Sequence, residues 1–335
     1  MMKKVLIAMV FLLTAAVSIA ADKQSGTIVM EFDLSARPES GEAKLWVPYP
    51  VSDADQLISN IRIEGDYAES AVYTDREHGT PMLFARWNEG AESRRLSFSF
   101  DVERNEVLVR ELQGGEKAWN RNDFALWLEP TRLGPTDGMV KALADDIVEG
   151  RTTVLGKARA VYDWTVENMY RDPDTRGCGP GDVCTLLQTR GGKCGDIHSV
   201  YVALARSAGV PAREVFGIRQ GRKDGQDITG WQHCWVEFYL PGTGWIPADP
   251  GDVRKMMLKE ELELDDEKTA EYRAYFWGGI DPYRVKLSTG RDLILNPPQQ
   301  GDPVNYLMYP FAQIGGETLD WLDPEGFSYR ITYRQ

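Results

Sequence analysis

The stretch GGKCGDIHSVYVALARSAGVPAR, residues 191–213, sets Cys194 behind a glycine pair and at the mouth of a helical stripe. A thiolate is a strong nucleophile where a thiol is weak, and the unpaired N–H groups of a helix N-terminus favour the anion. Gly191, Gly192 and Gly195 strip side chains from the approach, so a substrate backbone could come close to the sulfur. A cysteine nucleophile usually works with a histidine, and the chain has only three: His78, His198 and His233. His78, in DREHGT, reads as a surface turn residue. His198 follows Cys194 by four residues, which puts it one turn deeper on the same helix face. His233 lies in WQHCWVEFYL, where strand alternation sets Trp231, His233 and Trp235 on one side and Cys234 on the other. Flanking tryptophans would shield an ion pair from water, and Cys234 is expected to face away as an inert packing thiol. The base needs a carboxylate to orient its second nitrogen. Hairpin counting about the turn at 241–244 sets His233 nearer Asp252 than Asp249, and counting alone leaves both in play.

These residues need a scaffold. From Gly26 to about Val109 short runs such as TIVMEFDL and RRLSFSFDVERNEVLV alternate apolar and polar residues between turn formers, which predicts a β-sandwich-type domain over 21–112. Residues 113–135 lose the alternation and form the expected linker. Two helices are predicted over 136–171; the second carries Val154, Ala158, Val161, Tyr162, Thr165 and Met169 at helical spacing. Ile197, Val200, Tyr201, Leu204, Ala205 and Ala208 then make the stripe of the Cys194 helix, stopped by Gly209 and Pro211. Strand-like runs follow to residue 253, giving an α+β core over 136–253, and residues 254–335 read as a C-terminal extension with strands appended to that core.

Lys3 and Lys4, an apolar run from Val5 to Leu13 and small residues up to Ala21 have the order of a secretory leader, with cleavage expected after Ala20. A periplasmic or secreted protein without membrane insertion follows from that reading. The net charge of -13 argues against nucleic acid or anionic lipid as partner. In an exported chain the even count of four cysteines (Cys178, Cys184, Cys194, Cys234) reads most simply as two disulfides.

GGKCGDIHSVYVALARSAGVPAR followed by WQHCWVEFYLPGTGWIPADP resembles the transglutaminase-like superfamily: a glycine-rich lead into Cys, a Gly-Val-Pro-Ala-Arg helix exit, His-x-Trp-x-Glu on a strand and Gly-Trp-x-x-x-Asp on the next. The YDWTVENMYR helix fits the same pattern, so the resemblance spans about 136–250. It implies a papain-like core of helices packed on an antiparallel sheet, with Cys194 as nucleophile, His233 as general base and acid, and Asp249 as the orienting carboxylate. At the position of Cys234 the family usually has a small alanine. Gln188, six residues before Cys194, stands where papain-like enzymes hold an oxyanion-hole glutamine. The backbone N–H of Cys194 is the other expected donor. The segment GRDLILNPPQQGDPVNYLMYPFAQ more weakly resembles an extension found on bacterial proteins of this type.

The resemblance also bears on the cysteines: Cys178 and Cys184 bracket GPGDV and can close a short disulfide loop ahead of the site, which would leave Cys194 and Cys234 free. A zinc site from Cys178, Cys184, Cys194 and His198 lacks the tight ligand spacing of structural zinc sites, and the acidic run KEELELDDEK lacks that of a calcium loop and reads as a charged helix face. No metal or other cofactor is expected. Trp231, Trp235 and Trp245 are candidates to line a substrate cleft. The expected activity is acyl transfer from amide bonds of proteins or peptides through a thioester on Cys194, resolved by water or by an amine. The competing expectation is a non-catalytic binding or assembly module on the same scaffold.

Overall fold

A computed structural model of the protein describes residues 22–36, 41–112 and 117–335. The predicted leader, residues 1–20, and part of the predicted linker lie outside the described residues.

The Cys194 core is built on a four-stranded antiparallel sheet in the order Gly244–Ala248, Gln232–Leu240, Ala212–Arg219, Arg284–Thr289. Its helices are α1 (Gly138–Ile147), α2 (Val154–Asn168), α3 (Val183–Thr189), α4 (Cys194–Ser207), α5 (Pro250–Glu260) and α6 (Glu267–Tyr275). The α2 positions picked out by spacing form its buried face, Ala158, Val161, Tyr162 and Thr165 being fully buried. They meet Ile197, Val200, Tyr201 and Leu204 of α4 in one apolar cluster. Such contact geometry is what helical spacing encodes.

Helix α4 is more enclosed than its stripe predicts, with 13 of its 14 residues buried. Its polar side is covered as well as its apolar one, and the polar groups are paired there. Ser199 Oγ hydrogen-bonds Glu214 and the Gly195 carbonyl, and Arg206 donates to the Ala212 carbonyl. Arg291 ties Glu214 and Ser199 together from the far side. Pairing of this kind is the condition for burying polar groups.

The strands before the linker form a sandwich, as predicted, but not by themselves. One sheet runs 226–227, Tyr329–Arg334, Lys23–Asp33, Arg95–Asn105, Gln56–Gly65; the other runs 317–318, Phe311–Ile314, Ala43–Pro48, Pro81–Trp87, Glu69–Thr74. The expected division at 112 and 253 is therefore corrected in two ways. Residue 253 falls inside α5, and of the strands after it Arg284–Thr289 joins the core sheet while the last ones complete the N-terminal sheets. Tyr329, Ile331 and Tyr333 alternate inward and pack with Ile28, Met30 and Phe32. The period marks them as a strand with a buried face, but pairing across some 300 residues leaves no local sign of its partner. The acidic run 259–268 is likewise split, between the end of α5, a turn and the start of α6.

Candidate active site

Cys194 is the first residue of α4, preceded by Lys193 in extended conformation. The loop before α3 is clipped to this helix start. Gly195 N–H donates to the Cys178 carbonyl at 2.7 Å, and Asp196 accepts from Gly181 N–H at 2.8 Å and Lys193 N–H at 3.2 Å. The approach is too close for side chains. A Cβ on Gly195 would stand 2.6 Å from the Cys178 carbonyl oxygen, and one on Gly179, at φ +88°, 1.9 Å from the Asp196 carboxylate. Burial pushes the Asp196 carboxyl up to about 6 against the two backbone donors.

The clip carries Cys178 against Cys194, and the start of strand Gln232–Leu240 brings His233 and Cys234 to the same sulfur. Cys194 is 2% exposed. Hydrogen bonds from Cys178, then from Cys234, and then the hydrogen bond and charge of His233 outweigh burial and hold its thiol well below the usual cysteine range. The two neighbours move the other way. Cys178 is raised by its bond to Cys194 and by burial, Cys234 first by burial.

Asp249 caps the N-terminus of α5, accepting from Asp252 N–H at 2.7 Å. Its Oδ2 lies 2.8 Å from His233 Nε2, against 3.6 Å from that nitrogen to Asp252 Oδ1. The open choice between the two aspartates thus falls to Asp249, because the chain leaves the hairpin after Ala248 and turns into α5 instead of continuing the register. A carboxylate only accepts, so His233 carries its proton on Nε2 and presents Nδ1 as the remaining basic nitrogen. Arg284, fully buried, contacts Asp249 and pairs with Asp252 and Asp281, both at 2.9 Å. Burial alone would raise Asp249, but Arg284, His233 and His198 hold it well below the usual carboxylate range.

His198 supplies a feature that the sequence reading did not reach. Its Nε2 lies 2.9 Å from Asp249 Oδ1 and its Nδ1 3.2 Å from Cys234 Sγ. Cys234 is therefore not an inert filler facing away; it lies on the α4 side of the sheet, with its Sγ within hydrogen-bond reach of His198 Nδ1. The spacing of His198 from Cys194 was the available sign. Nothing local marked Arg284.

The other expected site residues divide clearly. Trp231 lines the cleft of about 530 Å³ onto which Cys194 and His233 open. Trp235 does not: it is buried beneath the sheet against Val215 and Ile280. Trp245 does not either, stacking edge-on to Trp127 at 5.7 Å with Arg213 4.0 Å above its ring. Gln188 is exposed on α3 and is absent from the cleft lining, because the residues of α3 that turn inward are Val183, Leu186 and Leu187. The Cys178–Cys184 disulfide is not formed: both are free thiols, Cys178 taken up by Tyr309 and the Cys194 cluster. His233, Asp249 and Asp252 bring ligand atoms within 4.8 Å of one another, but Arg284 and Arg219 already supply positive charge to both carboxylates.

The transglutaminase-like superfamily profile matches residues 141–250, the stretch that carries this arrangement. An uncharacterized protein of Haemophilus influenzae is 37% identical over 314 residues, covering 86% of this chain and 85% of the relative. A protein-glutamine gamma-glutamyltransferase of Pseudomonas aeruginosa is 34% identical over 144 residues, 40% of this chain and 21% of that protein. Among solved structures, a Cytophaga hutchinsonii protein described as a cysteine protease superposes with a TM-score of 0.57 at 17% identity, over 94% of this chain and 99% of that one. The chain belongs to the transglutaminase-like superfamily, and its fold is the papain-like α+β fold of that superfamily, preceded by a strand-rich region. No helix among the described residues is long and apolar enough to cross a membrane.

Proposed function

We propose that the protein is an exported cysteine enzyme that acts on amide bonds of proteins or peptides through a thioester on Cys194. The observation that carries the reading is the convergence at one cleft of a cysteine held below its usual range at a helix N-terminus, an imidazole, and a carboxylate on that imidazole's far nitrogen. Cys194 Sγ attacks the carbonyl carbon; His233 takes the thiol proton through Nδ1 and delivers it to the departing amine as the C–N bond breaks. Asp249 fixes the ring and its tautomer. The N–H of Cys194, which has no acceptor among the described residues, is the donor at hand for the developing oxyanion. Water, deprotonated by His233, releases an acid; an amine in its place gives a new amide. The leader-like first residues support export.

The test combines labelling and turnover. Iodoacetamide is expected to modify Cys194 far faster than an ordinary thiol near neutral pH, and a glutamine-containing peptide is to be assayed in parallel for hydrolysis and for incorporation of a labelled amine. A Cys194 no faster than a free cysteine, with neither product formed, would leave the fold as a binding scaffold.

A further inference from the structure

The cleft beside Cys194 has an unusual lining for so acidic a chain. Arg171, Lys193, Arg219 and Lys255 all face it, and no aspartate or glutamate does. Arg219 is tied to Asp252 and Asp281. The other three make no salt bridge with any described carboxylate, although the net charge of -13 makes carboxylates plentiful. Burial holds the Lys255 ammonium below the usual lysine range, with Asp252 opposing, so keeping that cation in the cleft costs free energy.

Three donors in the lining lack acceptors, Arg219 Nε among them. Arg171 Nη1 is buried with no hydrogen-bond partner. So is Nε2 of Gln232, a residue only 8% exposed that directly precedes His233. Buried donors are ordinarily satisfied, and a set of them around one cavity calls for an acceptor that arrives with the ligand. A carboxylate is the group that fits paired N–H donors and ammonium charge together.

We infer that Arg171, Lys193 and Lys255 form a carboxylate subsite beside Cys194, and that the preferred substrates are peptides carrying an acidic group next to the amide that is attacked. This rests on the cysteine reading above and names the substrate class for it. The carboxylate has two possible sources, an acidic side chain flanking the amide or a free peptide C-terminus, and both present the same chemistry to the cleft.

The test uses two alkylating reagents of nearly equal size on the full protein. Iodoacetate is anionic and iodoacetamide neutral; both are attacked by the thiolate, which displaces iodide, so the ratio of their rates at Cys194 cancels the fraction ionised and reads the local charge. The ratio is expected to fall about tenfold in the Arg171→Gln, Lys193→Gln, Lys255→Gln triple variant, and by a smaller factor in Lys255→Gln alone. An unchanged ratio with brisk iodoacetamide labelling overturns the subsite and leaves the cysteine reading standing; failure of iodoacetamide to label Cys194 overturns both. Peptides paired as Glu against Gln beside the amide, and as free acid against C-terminal amide, give the second readout. A roughly tenfold kcat/KM preference for the acid in either pair, lost in the triple variant, supports the subsite and identifies its source. Equal turnover in both pairs overturns it.

Discussion

Cys194 with His233 and Cys234 with His198 lean on the same carboxylate, one Asp249 oxygen to each imidazole, at 2.8 and 2.9 Å. The residue types are identical, yet the first sulfur is held well below the usual thiol range and the second well above it. The difference lies in position. Cys194 begins a helix and opens on a cleft, and its neighbouring thiols donate to it. Cys234 begins no helix, is fully buried and lies in hydrogen-bond contact with His198. A Cys–His–Asp set in coordinates is thus not enough to mark a nucleophile; the thiols and the imidazole that donate to Cys194, against the burial that raises Cys234, decide which set can ionise.

The sharpest way to break the comparison is to delete each sulfur. Cys194→Ala is expected to lower amide turnover by about 10⁴-fold or more, as loss of a nucleophile does, whereas Cys234→Ala should leave kcat within a few-fold. Equal losses in the two variants, measured on one peptide substrate, would make the pairs equivalent and remove the distinction.

Next in size is Arg284, on which both sets depend through Asp249. Arg284→Met leaves Asp249, Asp252 and Asp281 without their shared cation, and a loss of about 3–5 kcal/mol is expected from urea midpoints. The pH dependence has a definite sign. Asp249 and Asp252 are both depressed in the folded protein, so their contribution is complete above the unfolded aspartate value of about 3.9 and is lost as pH falls through the lower folded values. In Arg284→Met the folded values move up towards the unfolded one, so this acid-dependent loss should shrink.

A smaller but diagnostic effect is the pH profile of alkylation. Because the folded Cys194 is depressed, its labelling rate should hold steady as pH drops below about 8.5 and decline only near the folded value, while Cys234 labels only after denaturation. A rate at Cys194 that rises in parallel with a free thiol would contradict the assigned asymmetry. Smallest of all, Cys234→Ala removes the hydrogen-bond partner of His198 Nδ1 and should cost about 1–2 kcal/mol of stability.

Much of the core could be read from local pattern. The stripe of α4, the alternation in WQHCWVEFYL and the Gly-Trp-x-x-x-Asp segment each carry their own period, and together they placed Cys194, His233 and, through family resemblance, Asp249. What pattern missed depended on long-range packing. Gln188 was drawn from spacing borrowed from distant enzymes, but α3 turns its leucines inward and leaves that side chain outside. Trp235 and Trp245 share a strand pattern with the cleft residue Trp231, yet one is sealed under the sheet and the other joins a surface aromatic group with Trp127. Cys178 looked like a partner for Cys184 because they are close in sequence; the Cys178–Gly195 backbone bond instead draws it to Cys194. Arg284 comes from a strand 35 residues beyond Asp249, where no periodicity connects the two.

The strand Tyr329–Arg334 pairs with Lys23–Asp33, and Tyr329 and Pro324 also help to wall the Cys194 cleft. On a ribosome, then, the early strands must wait with an open edge until the final residues emerge. A nascent chain stopped short of Tyr329 would carry Cys194, His233 and Asp249 but lack one wall of the cleft beside them, so closing the sandwich and completing that cleft are one event.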